Sequence, residues 1–186
     1  MPPETTQVLT QDALGAGLAT IRAFQAVRFT AALDFEDSDC SAARFDGCTF
    51  EGMTFHGAKF AQAQFTDCKF SQVRFASCDF TEARFRKCQL FDAEAKTGCR
   101  FAFCDMVSVA LDHCNFADAF LERCDLYDVR ASECGFRGAR FKGTTFQKTL
   151  SKKVTLSKAA FDSCNFSYAD LSGLSLRSCS NRKSVV

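Results

Sequence analysis

Residues 43–72 read "ARFDGCTFEGMTFHGAKFAQAQFTDCKFSQ", with phenylalanine at 45, 50, 55, 60, 65 and 70. Neither ordinary period places these rings on one side. A helix turns about 100° per residue, so residues five apart lie about 140° apart and wind around it. A flat strand alternates faces with period two, so an odd spacing sends successive rings to opposite faces. The chain must instead turn after every short extended segment, bringing each fifth side chain to a common axis. That is a coil, and stacked coils make a β-solenoid.

Outward from this stretch, one frame runs from Cys40 through Phe45 and Phe85 to Leu90. After eleven residues a second runs from Phe101 to Leu176, with Ala131 and Ser151 as its poorest core residues. Phe24 and Phe29 mark an earlier start, and a slip of one residue would put Phe35 rather than Asp34 inside. Two residues before many centres stands a small apolar residue, as at Ala43, Cys48, Ala63, Cys68, Cys104 and Cys124. Large and small apolar residues thus point inward in turn, and polar ones point out.

Strings such as "ARFDGCTF" (43–50) and "SYADLSGLSL" (167–176) resemble the pentapeptide-repeat family. The resemblance implies an all-β fold, a right-handed quadrilateral parallel β-helix with one pentapeptide per side and four per coil. Three segments follow: an N-terminal segment with a short capping helix over 1–23, the solenoid over 24–176 with a loop at 91–98, and a tail over 177–186. With four sides per coil, residues twenty apart stack at roughly 4.8 Å, giving about eight coils. Cys48, Cys68 and Cys88 then form one column, Cys104 and Cys124 a second, Cys114 and Cys134 a third. Outward, Lys59 stacks on Asp79, Asp67 on Lys87 and Glu122 on Lys142, while Asp105 over Asp125 puts like charges in register.

Twelve cysteines raise the question of metal or disulfides. Their spacing is mostly ten, matching inward positions, and there is no C-x-x-C pair, so they read as small apolar filler. The start "MPPETTQVLTQ" has neither the basic nor the apolar region of a signal peptide, so a reduced, cytoplasmic protein is expected. No apolar run approaches the roughly 18 residues that span a membrane. Net charge is +1, but it is distributed in blocks: residues 101–136 hold seven acids and two bases, residues 137–186 two acids and ten bases.

Both ends need covers, because an open coil exposes backbone groups and apolar side chains. "TQDALGAGLATIRAF" (10–24) offers Thr10 as N-cap with Leu14, Leu18 and Ile21 at helical spacing. At the C-terminal end, either the tail covers the last coil or two molecules meet end to end through Leu171 and Leu176 as a homodimer. Catalysis is not expected, since His56 and His113 fall at outward positions and no nucleophile, phosphate-loop or metalloprotease motif is present. No cofactor, metal or small-molecule substrate is expected either.

The interruption "CQLFDAEAKTGCRF" (88–101) is the main irregularity, and a loop on a smooth rod is a natural contact site. It is similar to the first projecting loop of the Qnr quinolone-resistance proteins, and "GARFKGTTFQKTLSKKVTLSKAAF" (138–161) resembles the region of their second. That resemblance implies a non-enzymatic protein that binds DNA gyrase or topoisomerase IV and relieves fluoroquinolone poisoning, with a rod that imitates duplex DNA. By position, the first loop supplies Phe91, Asp92, Glu94, Lys96 and Gly98, and the second Gln147, Lys148, Lys152 and Lys153. Asp105, Asp125 and Asp128 supply local acid for mimicry. The sequence departs from that group in lacking a C-terminal dimerising helix, in a longer N-terminal solenoid and in a basic second segment that keeps the five-residue frame. The alternative is a stiff interaction scaffold or a secreted bacterial effector. Direct nucleic-acid binding through Arg137, Arg140, Lys142, Lys148, Lys152 and Lys153 ranks below both, because no aromatic residues interleave that block.

Overall fold

The computed structural model describes residues 7–126 and 129–142, with the backbone of Thr155–Leu156, Ala160–Asp162 and Ser180–Arg182. Nearly every described five-residue unit forms either a short strand or a single bridge and then turns, so the chain winds into a four-sided parallel β-helix. Face I is a seven-stranded parallel sheet centred on Phe24, Phe45, Phe65, Phe85, Leu111, Ala131 and Leu156. Face II carries Phe29, Phe50 and Phe70 and continues as single bridges at Gln89, Asn115 and Gly135. Face III carries Phe55, Phe75, Phe101, Leu121 and Phe141. Face IV, opposite face II, is held only by single bridges at Asp39, Lys59, Asp79, Asp105 and Asp125.

The inward pattern follows from the five-residue period. Phe45, Phe65 and Phe85 stack nearly parallel at 4.9 and 4.7 Å, and Phe29, Phe50 and Phe70 do so at 4.8 and 4.7 Å. Rings on adjoining faces meet edge to face, as Phe45 does with Phe50 at 5.6 Å, so the axis is filled by two orthogonal aromatic contacts. Phe35, not Asp34, points inward; the slip costs one extra residue, and face I steps from Phe24 to Phe45 accordingly. Ala131 is buried beneath Leu111 despite its size.

The corners carry a constraint that the sequence pattern does not display. Apart from Arg22 and Lys96, every residue with positive φ lies two places after a centre, from Ala26 to Gly138. Only four of these corners are glycine. A left-handed conformation costs an L-residue roughly 1–2 kcal/mol, so packing and the inter-coil ladder must hold each one. The ladder does run through them: the Asp67 N–H donates to the Arg86 carbonyl at 2.9 Å.

Register corrects two expectations. Every pairing that crosses 91–98 steps by 26 rather than 20, as in Gln89 with Asn115 and Arg74 with Arg100. Cys114 and Cys134 therefore continue the column of Cys48, Cys68 and Cys88, and Cys78 heads that of Cys104 and Cys124. Leu156 pairs over Ala131, a step of 25, so Ser151 is not the residue stacked there. All ten described cysteines are free and buried, and most thiols donate to a carbonyl in the preceding coil, as Cys68 Sγ does to Phe45 O at 3.3 Å.

At the N-terminal end, helix α1 (Gln11–Thr20) covers the first coil, with the Thr10 hydroxyl accepting from the Ala13 N–H at 3.3 Å. Leu14 is buried and Leu18 packs against the core, but Ile21 is 75% exposed, because the helix has ended there and the chain is already turning into face I. Gln11 fixes the cap to the coil by accepting from the Asp34 N–H and donating to its carbonyl, both at 2.9 Å. Ahead of the helix, Gln7–Val8 adds a strand to face II.

Phe65→Ala, which removes a ring stacked on both sides, is expected to cost about 3–5 kcal/mol in urea denaturation. Gln64→Ala, one residue away on the outside, is expected to change stability by less than about 0.5 kcal/mol.

Candidate functional site

With the axis filled by side chains, the recesses among the described residues are open grooves on the rod. His56 and His113 point outward: His113 lies between Asp112 at 2.7 Å and Glu133 at 2.6 Å, an exposed polar cluster. Among the described residues no group of three histidine, cysteine or acidic side chains is placed to hold a metal. The surface features to be explained are therefore a hairpin and the columns of charge.

The hairpin leaves the corner between faces II and III. Phe91–Asp92 pairs antiparallel with Thr97–Gly98, against the parallel pairing of every other described strand. Asp92 Oδ1 accepts from the N–H groups of Glu94 and Ala95, both at 3.0 Å, and closes the turn; Lys96 completes it at φ 52°. The Ala95 N–H bond holds the Asp92 carboxyl below its ordinary pKa, with the Glu94 N–H and Gln72 contributing. Glu94 and Lys96 are exposed at the tip. Phe91 is half-buried at the base, where it walls a groove of about 780 Å³ against Lys69, Gln72 and Asn115.

The insertion has a simple position in the repeat. Removing 92–97 leaves "QLFGCRF", in which Leu90 and Phe101 are centres five apart, Cys99 is the small inward residue and Gly98 takes the corner place. The six residues thus enter between two consecutive outward positions and leave the frame intact. Gly98 is required by close approach: a Cβ there would come within 2.3 Å of the Ala119 nitrogen and 2.4 Å of the Ala117 oxygen.

The acidic column lies apart from the hairpin. Asp105 pairs over Asp125 as expected, and Asp79 joins them through the step of 26. All three stand on face IV, with face III between them and the hairpin corner. Asp128, Gln147, Lys148, Lys152 and Lys153, and the end-to-end contact through Leu171 and Leu176, lie outside the described residues. On face III the sequence reading missed an aromatic: Arg100 and Arg140, from the coils before and after, place their guanidinium carbons 5.1 and 5.2 Å from the Phe120 ring centroid. Phe103, 55% exposed at the next corner, carries Arg123 at 5.6 Å. Arg100, Phe120 and Arg140 stand twenty apart, so their row could have been read from the sequence; adding Arg74 requires discounting the six hairpin residues first.

Gly98→Ala is expected to cost about 1–3 kcal/mol in thermal denaturation and to speed proteolysis at the hairpin, since backbone must move to admit the methyl. Because the Asp92 carboxyl is lowered in the fold, its turn is held above the ordinary carboxylate pKa and loosens as pH falls through the lowered value. The Glu94 and Ala95 amide resonances are accordingly expected to shift on acidification with a midpoint below about 3.9; a midpoint at or above it would mean the bonds are not formed.

In fold the chain is similar to HetL, a pentapeptide repeat protein involved in heterocyst differentiation regulation from the cyanobacterium Nostoc sp. strain PCC 7120, with 14% identity, 95% of this chain and 92% of that one covered, and a TM-score of 0.35. It is also similar to trypsin-treated QnrB1, a plasmid-mediated fluoroquinolone resistance protein, with 21% identity, 86% and 83% coverage and a TM-score of 0.27. A pentapeptide repeat protein from the Arabidopsis thaliana thylakoid lumen gives 16% identity, 77% and 70% coverage and a TM-score of 0.26. At these values none assigns a function, and no curated protein matches the chain in sequence. The profile of the pentapeptide repeat region matches residues 22–95, and that of pentapeptide repeats matches 104–143 and 152–180. The gap between the first two matches holds the return leg of the hairpin, the described coils keep the five-residue frame on either side of it, and the chain belongs to the pentapeptide-repeat family.

Proposed function

We propose that this protein is a non-enzymatic binding protein that docks on a type II topoisomerase, DNA gyrase or topoisomerase IV, and protects it from fluoroquinolone-type poisons. Pentapeptide-repeat proteins are in general structural and interaction proteins rather than enzymes, which fits a chain whose axis is solid side chain. The observation that carries the reading is the hairpin at 91–98, a closed, charged projection on an otherwise regular rod, in the string that is similar to the first Qnr loop. Asp79, Asp105 and Asp125 on face IV add a row of acid at the coil pitch, which supports partial mimicry of a duplex. The second reading is an interaction scaffold without a topoisomerase partner; the net charge of +1 favours it, since a full duplex mimic requires a strongly acidic surface.

Deletion of 92–97 tests the assignment cleanly, because it removes the six surplus residues and returns the coil to a step of twenty. In a gyrase supercoiling assay with ciprofloxacin, the intact protein is expected to restore supercoiling and the deletion to restore none, with its circular dichroism and melting temperature retained. Protection by the deletion at wild-type level would remove the hairpin from the mechanism. Absence of protection by the intact protein at any concentration would leave the scaffold reading.

A further inference from the structure

Face III presents a column in which Arg74, Arg100, Phe120 and Arg140 occupy equivalent outward places in four successive coils. The three arginines are exposed, and none has a carboxylate within salt-bridge distance among the described residues. Arg74 stands directly over Arg100, like charge on like charge, an arrangement that disfavours the isolated rod. In the parallel column beside it, Ala76 and Ala102 stand level with Arg74 and Arg100, so that column puts no carboxylate next to either arginine. Lower down, Glu122 is already paired to Lys142 at 3.3 Å. The hairpin tip adds Lys96, which lines a depression of about 540 Å³ with Arg100, Phe120, Asp118 and Arg140.

From this column we infer that face III is a docking surface for duplex nucleic acid, gripping the phosphodiester backbone without reading sequence. Three steps of roughly 4.8 Å place Arg74 and Arg140 about 14 Å apart along the rod, close to the axial length of four phosphates on one strand. Phe120 is a positioning residue. Its ring lies between two guanidinium groups and fixes them at the surface, and with both sides so occupied it is closed to base stacking, which argues for the backbone of a duplex over a single strand. An acidic protein is the weaker candidate on energetic grounds. Exposed ion pairs contribute about 0–1 kcal/mol each, too little to hold a protein interface without an apolar centre, whereas a polyelectrolyte releases condensed counterions for every cation it meets. This inference stands independently of the topoisomerase reading, since it uses face III and not the hairpin's partner.

The test is fluorescence anisotropy of a labelled 20-base-pair DNA duplex with the full chain, between 50 and 200 mM sodium chloride. Four engaged cations predict a slope of about −3 to −4 in log affinity against log salt. The double variant Arg74→Glu/Arg100→Glu is expected to bind at least tenfold more weakly with a shallower slope, and Arg44→Glu on face I to bind like wild type, all with unchanged melting temperature. Phe120→Ala is expected to weaken binding severalfold, and Phe120→Tyr to restore it. No anisotropy change at 50 mM salt, or equal binding by the double variant, would overturn the inference. Binding of poly-L-glutamate without binding of the duplex would overturn it in favour of an acidic protein surface.

Discussion

A phenylalanine ring lying on the ring one coil below, at 4.7 to 5.3 Å, is the contact on which the rest of this molecule depends. Parallel strands two to four residues long have little cohesion of their own, and a left-handed residue at nearly every described turn works against the fold. The stacked rings offset both, because each coil buries one layer of aromatic surface on the next and fixes the height of the layer. Once that height is set, the corner N–H groups fall opposite the carbonyls of the adjacent coil. Among the described residues no buried side-chain nitrogen or oxygen is left without a partner.

A rigid repeat also determines what the surface can be. Outward residues at equivalent places line up in straight rows at the coil pitch, so charge on this rod is organised in columns rather than patches. Face IV carries aspartates and face III carries arginines, on adjoining sides of one square section. A chain of nearly zero net charge can therefore present two strongly different faces to two different neighbours.

Much of this was legible in the sequence. The five-residue period identified a β-solenoid, its inward rows and the break at 91–98, the family resemblance implied its four sides, and the one-residue slip located Phe35. The left-handed corners were not legible, because the chain fills them with alanine, glutamine, lysine, serine, phenylalanine and others as readily as with glycine; the requirement is on backbone geometry, and stacking meets it regardless of side chain. Long-range columns were misread wherever they crossed the loop, since each pairing across it steps by 26 rather than 20. That shift split one cysteine column in two and hid Arg74 from its place over Arg100, whereas Arg100, Phe120 and Arg140 stand twenty apart and could have been read as one row. Ile21 kept helical spacing with Leu14 and Leu18 but lies one residue past the end of the helix, so periodicity alone placed it inside.

The thiol columns have a kinetic consequence. Cys40 and Cys99 are held protonated, their pKa raised to about 12 chiefly by burial, and the cysteines of both columns are packed at the axis beside the rings. A reagent that attacks thiolate can reach such a sulfur only when its own coil separates from a neighbour. The ten described cysteines, all buried and spread from Cys40 to Cys134, are thus built-in clocks for the rod: the labelling rate of each measures how often that level opens. Read in order, they would show whether the rod frays from its ends or parts at the hairpin.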